Sequence, residues 1–274
     1  LRERTLRDKL RQPMRLSFVV PTRNQARFLR QCLDCCVAQK IDDSEIVVVD
    51  GASTDETKTV LSSYDDRVRW TSEADSGQSE AINKGVRAAR GELIAWINSD
   101  DYYASNDAVG DLLAAFDRDP ALDIVYGDGL RVDVAGRSLG RYTSRSITSP
   151  TQIVVHPASF VQQPSLIFRR QLFLDVGGLD ESLHYAMDYD LWTRLFAAAR
   201  ATCYVPLPIS CARYHADAKS IHAMGAQIRE LVVIKHRAAR RLGLGLVDRV
   251  RMAAGESTLA AYWLAVRLGL RRAF

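Results

Sequence analysis

The chain has 274 residues, 47% of them hydrophobic and 26% charged, which suits one sizeable globular domain with an appendage. No apolar run reaches the roughly 18 residues of a spanning helix, and residues 1–15 are polar and basic where a signal peptide would turn apolar, so a cytoplasmic protein is expected, at most touching the inner face of the plasma membrane. The net charge of +4 hides a division: residues 1–15 carry six Lys/Arg against two Asp/Glu, residues 16–221 carry 21 against 28, and residues 222–274 carry ten against three, an acidic body that disfavours nucleic acid between basic ends that suit an anionic membrane.

Short apolar runs rich in β-branched or aromatic residues predict strands at Leu16 to Val20, Ile46 to Val49, Val68 to Trp70 and Leu93 to Ile97. Helical patterns separate them at Ala26 to Ala38, Glu56 to Tyr64 and Ser79 to Arg90. Strand and helix in alternation predict an α/β fold with a Rossmann-like, mostly parallel central sheet flanked by helices. Ligands bind such sheets at the carboxyl ends of the strands. Those ends are Pro21-Thr22-Arg23-Asn24, Asp50-Gly51-Ala52-Ser53, Glu73 to Gln78 and Asn98-Ser99-Asp100-Asp101, with carboxylates directly after the second and fourth strands. Neither G-x-G-x-x-G nor G-x-x-x-x-G-K-[ST] is present. A bound diphosphate would then need a metal to neutralise it. Asp100 and Asp101 side by side repel, and in a dry site one takes up a proton unless a cation holds both ionised.

Beyond the fourth strand a helix is predicted at Asp107 to Asp119, strands at Asp123 to Val134 and Arg141 to Thr143, a polar loop at Ser144 to Pro150, and a buried run at Ser165 to Phe168. A turn follows at 177–181, then a helix over "AMDYDLWTRLFAAA" whose first turn holds Asp188 and Asp190; acids there are favoured by the helix dipole, which explains both without any catalytic role. From Ser220 the chain reads as two or three helices broken at Gly243, Gly245 and Gly255, with apolar faces free to dock on the body, a partner or a bilayer. Five cysteines, three of them on one predicted helix, read as reduced packing residues and not as a zinc site.

The ordered segments "VVPTRN", "VVVDGASTD", "SEADSGQSEAINKGVRAARGE", "WINSDD", "QPSLIFRR", "GGLDE", "MDYDLWTRL" and "RYHADAKS" resemble the family 2 glycosyltransferases over residues 16–221. The resemblance implies the GT-A fold and an inverting enzyme that uses a nucleotide-diphosphate sugar, Mn²⁺ or Mg²⁺, and an acceptor hydroxyl. It implies that Asp50 contacts the base, with Pro21, Thr22 and Asn24 lining the nucleotide pocket beside Ser53, and that Asp75, Gly77 and Gln78 lie near base and ribose. Asp100 is implied near ribose and sugar, Asp101 at the metal, and Asp188 as general base. His215 is implied as a further metal or diphosphate contact, although a histidine beside Tyr214 reads equally as an ordinary packed residue. Of the aromatics, only Tyr102 or Tyr103 is expected near the acceptor, and Gln162 or Gln163 as a pocket hydrogen-bonder; Tyr102 and Gln163 are the candidates for acceptor binding.

The resemblance further divides the chain into a basic extension 1–15, a nucleotide-binding half 16–101, an acceptor-binding half 102–221 and a basic helical tail 222–274 that contacts membrane. By analogy with the family, the acceptor is a surface glycan or a lipid-linked precursor. Two departures stand out. Met187 occupies the place where the family commonly has Glu, a change that would raise the pKa of Asp188 or mark a different acceptor, and the Q-x-x-R-W motif of processive synthases is absent, which predicts addition of one or a few sugars. Two rivals stay open: a sugar-phosphate nucleotidyltransferase, which would want a glycine-rich first loop that "PTRNQARF" lacks, and a catalytically silent nucleotide-sugar-binding subunit.

Overall fold

Strand β1 (Leu16–Thr22) is buried along its whole length, as its run of apolar residues requires of a strand covered on both faces. In the computed structural model, which describes residues 14–157, 159–215 and 224–267, it lies between β2 (Ser44–Asp50) and β4 (Leu93–Trp96), parallel to both, and β3 (Arg69–Ser72) extends the parallel set beyond β2. The expected basic extension is thus outside the described residues up to residue 13, as is the ADAKS part of the last motif.

Helices α1 (Ala26–Ala38), α2 (Thr57–Ser62) and α4 (Ala108–Arg118) cover one face, through Leu29, Leu33, Leu61, Leu112 and Phe116. The opposite face is covered by α3 (Gln78–Ala88) and α7 (Met187–Ala198), through Ile82, Val86, Leu191, Trp192 and Leu195. The four-strand core and its helices therefore match the periodicity of the sequence.

The other half of the sheet departs from it. Beyond β4 the order continues β8 (Leu166–Arg169), β6 (Ile124–Val132), β9 (Thr202–Arg213) and β5 (Tyr102–Tyr103), with β7 (Ser138–Tyr142) paired to β6. Strand β8 runs antiparallel to both neighbours, whereas β6 and β9 are parallel, so the sheet is parallel on one side and mixed on the other. Strand β9 carries Pro206 and Pro208, which break ladder hydrogen bonding and argue against a strand from sequence alone. Its pairing to β6 accommodates them with register shifts around Asp128. The expected polar loop is followed by a short helix, α5 (Thr151–Val155), and α6 (Arg170–Asp175) follows β8.

The C-terminal part forms α8 (Met224–Arg241) and α9 (Leu246–Arg267). Gly243, with φ 63°, makes the turn between them. Gly255 does not break the helix as expected: a Cβ there would stand 3.2 Å from the Val155 carbonyl and 3.3 Å from the Pro157 backbone, so glycine permits close packing of α9 on α5. Of the docking surfaces left open by the sequence, α8 takes the body, burying Leu231 and Ile234 in the α3/α7 core. A smaller core of Val154, Ala238, Ala239, Leu244 and Met252 joins the two helices to α5. None of the described helices is long and apolar enough to cross a membrane, and all five cysteines are free thiols.

Candidate active site

Four strand ends and the loops after them meet at one edge of the parallel half. The loops after β1 and β2 are tied together: Ser53 Oγ accepts the Asn24 N–H at 2.7 Å, and Asn24 Oδ1 accepts the Thr54 N–H at 2.8 Å, with Asn24 in the left-handed region at φ 53°. Asp50 is fully buried, its carboxylate receiving the Ser53 N–H at 3.1 Å, the Ser72 hydroxyl at 2.6 Å and the Ser53 hydroxyl. Expected as a base contact, it also clasps this loop, with most of its acceptor capacity used locally. Thr22 Oγ1, beside it, is buried and has no hydrogen-bond partner among the described residues. Asp75 comes from the next loop to the same place, its Oδ2 2.7 Å from where a Gly51 Cβ would be, and its Oδ1 accepts the Gly77 N–H at 3.0 Å. Gly77 adopts φ 146°, a conformation that requires glycine.

Asn98 joins this loop to the end of β4. Its Oδ1 accepts from Gln78 Nε2 at 2.8 Å and from Trp96 Nε1 at 3.0 Å, and its Nδ2 donates to Gln163 Oε1 at 3.0 Å. Gln163 in turn donates to the Trp96 carbonyl at 2.6 Å. Both ends of the Gln163 amide, expected as an acceptor contact, therefore brace β4. Asn98 itself was readable only as a polar residue at a strand end.

The two adjacent acids separate. Asp101 is 6% exposed, and its Oδ1 accepts the backbone N–H of Arg213 at 2.9 Å; burial, with the charge of Asp100 adding to it, pushes its carboxyl well above the usual range. Asp100 faces the opening, its Oδ2 3.0 Å from Nε2 of the buried His215, whose ring rests on Phe28. Asp101, expected at the metal, is thus turned inward on β9, and Asp100, expected near ribose and sugar, lies beside the histidine. A carboxylate and an imidazole nitrogen suit Mn²⁺, and a cation that keeps waters and takes phosphate oxygens needs only one or two protein ligands. That fits a site in which no group of three or more ligating side chains occurs among the described residues.

Arg213 was not singled out in the sequence. Its guanidinium donates to the Asp100 carbonyl at 2.9 Å, the Val134 carbonyl at 2.8 Å and Gln31 Oε1 at 2.6 Å, and lies over the rings of Phe28 and Tyr102. Tyr102, expected at the acceptor, is placed under that guanidinium and against the turn after β6, with its hydroxyl beside Gly136. Burial pushes its phenol up to about 12.

Asp188 lies half-buried on the first turn of α7, where burial pushes its carboxyl up to about 6 against the pull of the Tyr189 N–H, which it accepts at 2.8 Å. Tyr142 is close enough for the Asp188 charge to add to the burial that raises its phenol. Asp190 is buried and paired with Arg194 at 2.6 Å. The turn bearing Asp188 is packed on the start of α3: Ser79 Oγ lies 2.9 Å from the Met187 sulfur and 3.3 Å from the Leu183 carbonyl, and Asn83 bonds both ways to Leu179. Contacts through Asn98, Gln78, Ser79 and Met187 therefore join the loop after β4 to the turn that bears Asp188.

The chain matches the family model described as "Glycosyl transferase family 2" over residues 17–177. An uncharacterized glycosyltransferase of Rickettsia prowazekii (strain Madrid E) is 30% identical over 187 residues, covering 66% of this chain and 58% of its own length; this chain thus spans less than two thirds of that relative. Among solved structures, S. aureus TarS 1-349 in complex with UDP-GlcNAc superposes with a TM-score of 0.65 at 18% identity over 88% of this chain and 79% of its own. Mannosyltransferase PcManGT from Pyrobaculum calidifontis, in complex with GDP-Man and Mn²⁺, superposes with a TM-score of 0.62 at 20% identity over 93% of this chain and 75% of its own. The fold is that of the GT-A glycosyltransferases.

Proposed function

The chain belongs to glycosyl transferase family 2, and from that membership we propose that it transfers a sugar, with inversion, from a nucleotide-diphosphate sugar to a hydroxyl of a glycan or lipid-linked acceptor. The observation that carries the reading is the presence of a half-buried acid with a raised pKa, Asp188, and of a strand-end carboxylate and histidine, Asp100 and His215, on loops joined through Asn98, Gln78, Ser79 and Met187.

In this reading Pro21, Thr22, Asn24, Asp50 and Ser53 wall the base pocket, with the unpartnered Thr22 hydroxyl available to the base. Asp75, Gly77 and Gln78 flank the ribose. Asp188 takes the proton of the acceptor hydroxyl as that oxygen forms its bond to the anomeric carbon, and the bond from that carbon to the diphosphate breaks on the opposite face, leaving the electron pair on phosphate. A divalent cation held by Asp100 and His215 would neutralise the charge that the diphosphate gains on leaving. Asp101 keeps Asp100 in place through Arg213 without meeting the cation.

The first test is thermal shift with Mn²⁺ against a panel beginning with UDP-GlcNAc and GDP-mannose, the nucleotide sugars of the two structural relatives. Binding to the folded state raises the melting temperature as occupancy rises. One nucleotide sugar is expected to raise it in a Mn²⁺-dependent way; no response across UDP-, GDP-, dTDP- and CMP-sugars would remove the donor reading.

A membrane-borne acceptor is supported by the outer face of α9, where Leu246, Val247 and Val250 are 78%, 64% and 61% exposed beside Arg249 and Arg251. Deleting the tail would open the core that α8 closes, so point variants are the better probe. Replacing the three apolar residues by serine is expected to abolish flotation with phosphatidylglycerol vesicles while the melting temperature holds; unchanged flotation would exclude this face.

A further inference from the structure

We infer that Glu230, on the first helix of the expected tail, is a positioning residue for the turn that bears Asp188. The inference rests on the reading of Asp188 as general base. The segment before Asp188 has no regular structure between 179 and 186, and Ala186, at the N-cap of α7, has no side chain able to cap it. Three consecutive N–H groups there need acceptors. Glu230 supplies them from 44 to 46 residues away: Oε1 accepts from His184 at 3.0 Å, and Oε2 accepts from Tyr185 at 2.8 Å and from Ala186 at 2.9 Å.

Apolar docking does not require this carboxylate. Helix α8 is already fixed to the body by Leu231 and Ile234, and the opposite side of the same segment is held by Ser79 and Asn83 of α3. Glu230 instead fixes the direction from which the chain enters α7. It also places negative charge at the N-terminal end of α7, where the helix dipole favours it. With Glu230 in place, Asp188 accepts only from the N–H groups of its own turn and keeps the rest of its carboxylate for an incoming hydroxyl. A displacement of about 1 Å at a reacting group can cost on the order of 100-fold in rate.

The test uses the full chain, the donor selected by the panel above, p-nitrophenyl glycosides as acceptors and release of nucleoside diphosphate as the readout. Glu230→Ala is expected to lower kcat about 10- to 100-fold with the donor dissociation constant unchanged, and Glu230→Gln to act in the same direction, because its amide presents N–H groups to N–H groups. In the cycle with Asp188→Asn, the double variant is expected to be no slower than Asp188→Asn alone. Unchanged kcat in both Glu230 variants overturns the inference, as does parallel loss of donor affinity, or independent losses that multiply in the double variant. Full turnover by Asp188→Asn would instead overturn the reading of the base, whatever the Glu230 variants do. Should Glu230→Ala fail to fold, Glu230→Gln, which preserves side-chain volume, decides alone.

Discussion

The two sides of the crevice are built differently. On the donor side, the loops after β1, β2 and β3 are fastened by short side chains of neighbouring strand ends, Asn24 to Ser53, Asp50 to Ser72 and Asp75 to Gly77. On the side of the base, the turn before α7 has little holding power of its own and is suspended between Asn83 and Ser79 on α3 and Glu230 on α8. A parallel sheet delivers its strand ends to one edge as a matter of topology. The turn that bears Asp188 is held by contacts made one at a time across the chain.

The largest expected separation of the two sides comes from Asp188→Asn. Turnover should fall about 10²- to 10⁴-fold while calorimetry gives an unchanged donor affinity, and loss of donor binding would show that the sides are not separable. In the unsubstituted enzyme, the pH profile of kcat should rise through about 6, because the base acts only once its carboxyl has lost the proton that burial favours. The sign for stability is opposite. A carboxyl raised above its ordinary value holds a proton in the folded state that the unfolded chain releases, so its contribution is present below about 4 and is lost as pH rises through about 6. Asp188→Asn should therefore melt higher than the parent at pH 7.5, by about 1–3 kcal/mol of added stability, and the two should converge at pH 4.

Within the donor side, the adjacent acids should part company. Asp100→Asn is expected to weaken Mn²⁺-dependent donor binding about tenfold or more, whereas Asp101→Asn keeps the oxygen that accepts the Arg213 N–H and should leave the metal titration nearly unchanged. The reverse ranking would restore Asp101 as the ligand. The smallest effect is expected from Gln163→Ala. It should lower stability by about 1–2 kcal/mol, through the partners it leaves on Asn98 and Trp96, with no change in KM for the acceptor; a raised acceptor KM would return Gln163 to the pocket.

The same asymmetry governs how much was legible in the sequence. Strands β1, β2 and β4 and the acids that end β2 and β4 stand out because a strand buried on both faces is a continuous apolar run that stops where the site begins. The pair Asp100-Asp101 is legible as a pair. Which acid turns inward is not, since that is decided by Arg213, more than a hundred residues later, on a strand whose prolines conceal it. Glu230 is equally hidden, because a glutamate on a basic amphipathic helix reads as ordinary solvated charge until the helix is seen to dock. Gly255 misled for a related reason: an isolated glycine signals a break when only backbone freedom is considered, and a close approach once the neighbouring helix is known.

The guanidinium of Arg213 also bears on the order in which the molecule assembles. It joins Gln31, the carbonyl of Asp100 and the carbonyl of Val134, across separations of 182, 113 and 79 residues. Contacts so distant along the chain must meet their loop-closure cost before they reward it, so they are expected to form after the local ones. The parallel half can collapse around its apolar strands before β9 arrives, but until then the Asp101 carboxylate lacks the Arg213 N–H that turns it away from Asp100. The arrangement of the two acids is therefore expected to be completed by the docking of one strand and not by formation of the core.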